Sequence, residues 1–125
     1  MRNVILAILA LSGLSCGAAC TSSNPNAPSA PAPQSLAECL TAKGVKLYSA
    51  AWCGPCHRQH ELFGADAAKL DIVECFPDPA DPYRESEECQ ALGIEAFPTW
   101  ILPGLGRLEG VRDPELIGRL AGCPL

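Results

Sequence analysis

Val45-Lys46-Leu47-Tyr48-Ser49-Ala50-Ala51-Trp52-Cys53-Gly54-Pro55-Cys56 decides the fold. Val45 to Ala50 is apolar and of strand length, apolar enough to lie inside a sheet, and it runs straight into two cysteines separated by two residues. Past them Cys56, Phe63, Ala67 and Leu70 recur at helical spacing, with Arg58, Gln59 and Glu61 expected on the other side. The two cysteines therefore stand where a strand ends and a helix begins. A pair so placed can close a small disulfide ring and reopen it, storing two electrons in a reversible bond. No cofactor is expected for such chemistry.

A thiolate attacks a disulfide where a thiol does not, so the nucleophile needs a site that favours negative charge. Cys53 has one, because the first turn of a helix leaves backbone N–H groups unpaired at the positive end of the dipole. Cys56, one turn deeper, is the resolving thiol. Pro55 is tolerated because that first turn has no N–H bond to lose. Gly54 keeps the approach open, and Trp52 gives a partner polypeptide a wide apolar flank. His57 and His60 lie one turn apart and are expected to be solvated surface residues, with a proton-shuttling role near neutral pH as the alternative.

The rest of the chain supplies a small α/β domain. Ser35 suits the N-cap of a short helix carrying Leu36, Ala37 and Leu40 that stops at Gly44. Ile72 to Phe76 reads as a second buried strand, broken by Pro77, Pro79 and Pro82, and a helix is expected from about Tyr83 to Leu92. Pro98 to Leu102 and Arg107 to Val111 form a hairpin about the Pro103–Gly106 turn. Asp113 caps a last helix with Pro114 in its first position and Leu116, Ile117 and Leu120 as its buried stripe. This order predicts a mixed four-stranded sheet with helices on both faces. Cys75, ending a strand, and Cys89, on the helix beside it, suit a structural bridge, with two buried thiols as the alternative. Cys39 and Cys123 are then left for one another, although six cysteines allow 15 connectivities.

Trp52-Cys53-Gly54-Pro55-Cys56 with Pro98-Thr99 opening the later hairpin resembles the thioredoxin superfamily. More narrowly, Tyr48, Ala50, Cys56-His57, Gln59, Glu61-Leu62-Phe63-Gly64, Val73-Glu74-Cys75, Cys89, Ile94 and Phe97-Pro98-Thr99-Trp100 look like the thioredoxin-like domain fused to bacterial and plant vitamin K epoxide reductase homologues. The likeness runs from about Leu36 to Ala121. It implies a thioredoxin-like fold lacking the N-terminal strand of thioredoxin, and a thiol:disulfide oxidoreductase acting on protein thiols and disulfides. It implies a cis peptide before Pro98 opposite the disulfide, where the substrate pairs with the backbone of Phe97 like an added strand. It also implies a membrane redox partner of vitamin K epoxide reductase type. Two positions depart from the pattern. Gly54-Pro55 is the thioredoxin pair where the fused domains carry Pro-His, and Leu47 stands where thioredoxin has a buried aspartate. The first leaves the direction of electron flow open, and the second removes that aspartate's proton relay.

The N-terminus points to export. Arg2 precedes an apolar run from Val4 to Leu14, the length of a signal-peptide core and too short to span a bilayer. Residues 1–19 are expected to be a signal peptide of lipoprotein type, with Cys20 lipidated and Cys16 as the alternative. Cleavage before Cys20 leaves six cysteines, an even number suited to pairing. Residues 20–35, rich in Ser, Pro and Ala, form a tether to the domain at 36–125. The expected location is the periplasm or the envelope membrane. A net charge of −5 with no basic run excludes nucleic acid as a partner.

Three rivals stand beside this reading. Cys53, Cys56 and His57 also spell a c-type haem attachment site, weakened because the one methionine is Met1. A zinc site lacks a second ligand pair. A tethered adaptor with the fold but without the chemistry would have no need of both cysteines.

Overall fold

The structure, a computed structural model, describes residues 35–125. The expected signal segment, Cys16, Cys20 and the tether to residue 34 lie outside the described residues.

Ser35 opens helix α1 (Leu36–Ala42) with a capping box: its hydroxyl accepts from the Glu38 N–H, and the Glu38 carboxylate accepts from the Ser35 N–H. Strand β1 (Lys46–Ser49) follows, then α2 (Gly54–Phe63), a 3-10 helix (Gly64–Lys69), β2 (Asp71–Glu74), α3 (Glu87–Leu92), β3 (Thr99–Leu102), β4 (Gly106–Glu109) and α4 (Pro114–Ala121). The sheet order is β2-β1-β3-β4, with β1 parallel to β2 and the other two pairings antiparallel. Successive residues of a strand face opposite sides, so Leu47 and Tyr48 sort the core into two. Leu47 packs with Trp100, Leu40 and Ile117 under α1 and α4, whereas Tyr48 packs with Cys75, Cys89 and Ile94 under α3. Helices therefore cover both faces. The architecture is thioredoxin-like, and among the described residues β2 forms one edge of the sheet.

Cystines and one polar tie fasten the layers. Cys39 in α1 is bonded to Cys123 beyond α4, their Cα atoms 5.9 Å apart across 84 residues. Cys75, directly after β2, is bonded to Cys89 in α3, with Cα atoms 5.7 Å apart. Tyr48 donates its hydroxyl to Glu88 at 2.8 Å, and Lys46 meets the same oxygen at 3.1 Å. Burial, reinforced by the Glu88 carboxylate, pushes the Tyr48 phenol up to about 12.

Four details differ from expectation, each for a local reason. The helix after Cys53 ends at Phe63, because Gly64 adopts a φ of +57° and the chain tightens into the 3-10 turn. The helix expected from Tyr83 starts at Glu87. Asp81 accepts from the Tyr83 N–H to hold a turn there, and Ser86 supplies the N-cap. Leu120 is exposed while Gly118 is buried. The side chain of Leu36 lies where it would meet a Cβ at Gly118 at 2.8 Å, so the absence of a side chain lets α1 and α4 approach closely. The fourth is Gln59, which is buried.

Candidate active site

Cys53 is the N-cap of α2, in extended conformation, and its Sγ accepts from the Cys56 N–H at 3.2 Å. Gly54 and Pro55 fill the first two helical positions, both exposed, where no intrahelical N–H bond is due. The sulfurs of Cys53 and Cys56 are bonded, with Cα atoms 5.3 Å apart. Cys53 retains 4% of its surface and Cys56 1%, so the bridge is sunk beneath its neighbours.

Those neighbours are aromatic. Phe76 and Phe97 both pack against the cluster of Ala50, Cys53 and Cys56. Trp52 stands 62% exposed, with ring centroids 5.5 Å from Phe76 and 6.0 Å from Phe97. Phe97 brings with it the Phe97–Pro98 peptide, which is cis, and Pro98 is fully buried. The carbonyl of Pro98 accepts from the Gly110 N–H at 2.7 Å, joining this turn to the loop after β4. Trp52, Cys53, Gly54, Pro55, Cys56, Phe97 and Pro98 thus gather at one end of the sheet. Cys75–Cys89 and Cys39–Cys123 lie within the two core layers.

Polar groups fix the segment that carries Cys53. The Glu74 carboxylate, at the end of β2, accepts from the N–H groups of Ala51 at 3.1 Å and Phe76 at 3.2 Å. On the far side of the same residue, the Ala51 carbonyl lies 2.9 Å from His57 Nε2. Gln59, fully buried, accepts at Oε1 from the Trp100 indole N–H and the Arg112 backbone N–H, and donates at Nε2 to the Arg112 carbonyl. One amide therefore joins α2, β3 and the loop after β4. Its amide suggests the polar side for Gln59, yet it stands three residues after Cys56 and four before Phe63, on the buried face of α2, and that spacing is the signal available for it.

His57 is exposed, as expected, but His60 is half-buried, and its Nε2 finds no hydrogen-bond partner among the described residues. Burial holds its imidazole below the ordinary value of 6.5, His57 adds to that lowering, and Glu74 opposes it. A base with a lowered folded-state pKa binds fewer protons folded than unfolded. Its stability contribution is present above pH 6.5 and is lost as pH falls below that value toward the folded pKa. Urea midpoints should therefore decline from about pH 7.5 to about pH 5, and His60→Asn should flatten that slope. Equal slopes in the two proteins would remove His60 from the titration.

No family model matches the chain. The chain is 44% identical over 79 residues to thiol-disulfide oxidoreductase LTO1 of Arabidopsis thaliana, a stretch covering 59% of this chain and 20% of that protein. The chain spans about one fifth of the length of this relative.

Proposed function

We propose that the protein is a thiol:disulfide oxidoreductase that exchanges its Cys53–Cys56 bridge with thiols and disulfides of other proteins. The observation that carries this reading is the bridge at the N-terminus of α2, with a backbone N–H aimed at Cys53 Sγ and the cis Phe97–Pro98 turn beside it. The likeness to a protein named for thiol-disulfide exchange supports it.

In the reduced state the Cys53 thiolate is favoured by the helix terminus and the Cys56 N–H. It attacks one sulfur of a client disulfide, forming a mixed disulfide and expelling the other client sulfur as a thiolate. The Cys56 thiolate then attacks the Cys53 sulfur, restoring Cys53–Cys56 and releasing the second client thiolate, so two electrons pass to the client. The reverse sequence oxidises a client dithiol. Phe97, whose main-chain N–H and C=O have no hydrogen bond among the described residues, can align the client segment as an added strand.

We place the enzyme in the bacterial envelope, lipidated on Cys20 and exchanging electrons with a membrane partner of vitamin K epoxide reductase type. The apolar run from Val4 to Leu14, the cysteines behind it and the residues shared with the fused domains support that placement. Fractionation of the full chain beside its Cys20→Ala variant tests the anchor: the variant should leave the membrane fraction, and equal partition would refute lipidation there.

Turnover of insulin disulfides, of a scrambled protein substrate and of neutral hydroxyethyl disulfide tests the chemistry. All three should be exchanged by the native chain and none by Cys53→Ser/Cys56→Ser. Failure on all three would leave only an inactive adaptor. Equilibration with glutathione then assigns the direction of electron flow from the potential of the pair.

A further inference from the structure

The surface beside Trp52 has a chemical character that disulfide exchange alone does not require. An open groove of about 530 Å³ runs from Trp52 past Phe76 and Pro82 to Tyr83. Tyr83 is 90% exposed, so two large aromatic side chains face solvent on one patch next to the bridge. The adjoining hollow along the same loop includes Glu74 and Asp78. From Asp71 to Cys89 the chain carries Asp71, Glu74, Asp78, Asp81, Glu85, Glu87 and Glu88 against the single cation Arg84. Glu88 is matched by Lys46, but Asp78, Asp81 and Glu85 form no ion pair with a Lys or Arg among the described residues. Asp78 and Asp81 each spend one oxygen on a backbone N–H, of Ala80 and Tyr83 respectively. Asp78 lines the hollow next to the aromatics, exposed Asp81 directly precedes Pro82 of the groove, and Glu85 shares a further hollow with Asp78 and Arg84.

From this we infer that the groove is a specificity site for cationic, apolar peptide segments, those in which Lys or Arg flanks an apolar residue close to the reacting cysteine of a client. The inference rests on the proposed exchange reaction, which supplies the reason for a client to be there. Trp52 packs on Phe76 and Phe97, which cover the Cys53–Cys56 bridge, so the groove opens beside the sulfur that a client must reach and can take the residues flanking the client's cysteine. An apolar side chain gains by covering Phe76 and Tyr83. A basic one gains from the uncompensated carboxylates, and aromatic faces add cation–π attraction. An anionic segment meets the same field as repulsion, so discrimination arises from both signs.

Binding can be measured apart from catalysis. Three peptides identical except at two positions flanking a leucine, Lys-Lys, Gln-Gln or Glu-Glu, and carrying serine in place of cysteine, are titrated calorimetrically into the full chain. The Lys peptide should bind at least about 10-fold more tightly than the Glu peptide at low salt, and the ratio should contract toward one at about 0.5 M salt. Asp78→Asn, Asp81→Asn and Glu85→Gln together keep the oxygen acceptors that hold the turns but remove three charges, and should cut the ratio to about two-fold or less. Tyr83→Ala should weaken the Lys and Gln peptides alike. Equal affinity for Lys and Glu peptides, or a ratio unmoved by the triple variant, overturns the inference; preference for the Glu peptide would assign an anionic partner instead. Hydroxyethyl disulfide turnover, run in parallel, separates this outcome from failure of the exchange reading itself.

Discussion

Cys56→Ser is expected to accumulate mixed disulfides between Cys53 and protein partners, visible as reductant-sensitive high-mass bands, whereas Cys53→Ser accumulates almost none. The asymmetry follows from the two positions. Cys53 Sγ caps the helix and receives an N–H, so its thiolate persists after Cys56 is replaced. Serine at 56 cannot expel a bound partner, and the covalent intermediate outlives the experiment. Both cysteines are nearly buried, 4% and 1% exposed, so the asymmetry rests on position: Cys53 caps the helix end and Cys56 lies one turn along it. Alkylation of the reduced native chain at neutral pH should give the same order, Cys53 first. Equal capture by the two variants, or faster alkylation of Cys56, would reverse the assigned roles.

Removing the Cys39–Cys123 bridge should cost more stability than any surface change in the domain. Its 84-residue separation closes almost the whole described chain, and loop-closure entropy for that span corresponds to about 4.6 kcal/mol. The bridge between Cys75 and Cys89 closes 14 residues, for which the same relation gives about 3 kcal/mol. A domain of this size has a total stability of about 5–15 kcal/mol, so Cys39→Ala/Cys123→Ala should lower the melting temperature by roughly 20 °C or leave the domain partly unfolded at 37 °C. Thermal and urea unfolding of the double variant measure this. A loss under about 1 kcal/mol would show that α1 and α4 hold together by packing alone and that the unfolded chain is already compact.

Most of the architecture was legible because its punctuation is chemical. Ser35 and Asp113 mark helix starts with side chains that satisfy N–H groups, and Gly93 and Gly122 lie just past helix ends, whereas the Ser86 cap escapes the sequence reading, which starts its helix too early, at Tyr83. The apolar run from Val45 to Ala50 and its junction with Cys53 fix an interior strand and the place of the motif. What escaped depends on contacts distant in sequence. Spacing from Cys56 and Phe63 puts Gln59 on the buried face of α2, but nothing near it names the partners that satisfy its amide, Trp100 and Arg112. Leu120 looks like core by spacing, yet α4 presents Ile117 and Gly118 inward, with Leu36 against Gly118, and Leu120 faces solvent. Glu74 was visible only as one residue in a likeness. Its grip on Ala51 and Phe76 depends on strand register, which pairs it with Ser49 just before the site.

The three cystines among the described residues are also arranged in a particular topological order. The Cys39–Cys123 link encloses the Cys53–Cys56 and Cys75–Cys89 links, which lie side by side and never interlock. No segment must be threaded through a closed ring, so the links can form in any sequence during oxidative maturation. The outer link makes the stretch from Cys39 to Cys123 a macrocycle. A protease cut in the exposed stretch around Pro79 to Arg84 would add one water to the mass and liberate nothing, since two links span that stretch. Only added reductant would part the pieces, so the redox poise that charges Cys53 and Cys56 also decides whether a nicked molecule survives as one.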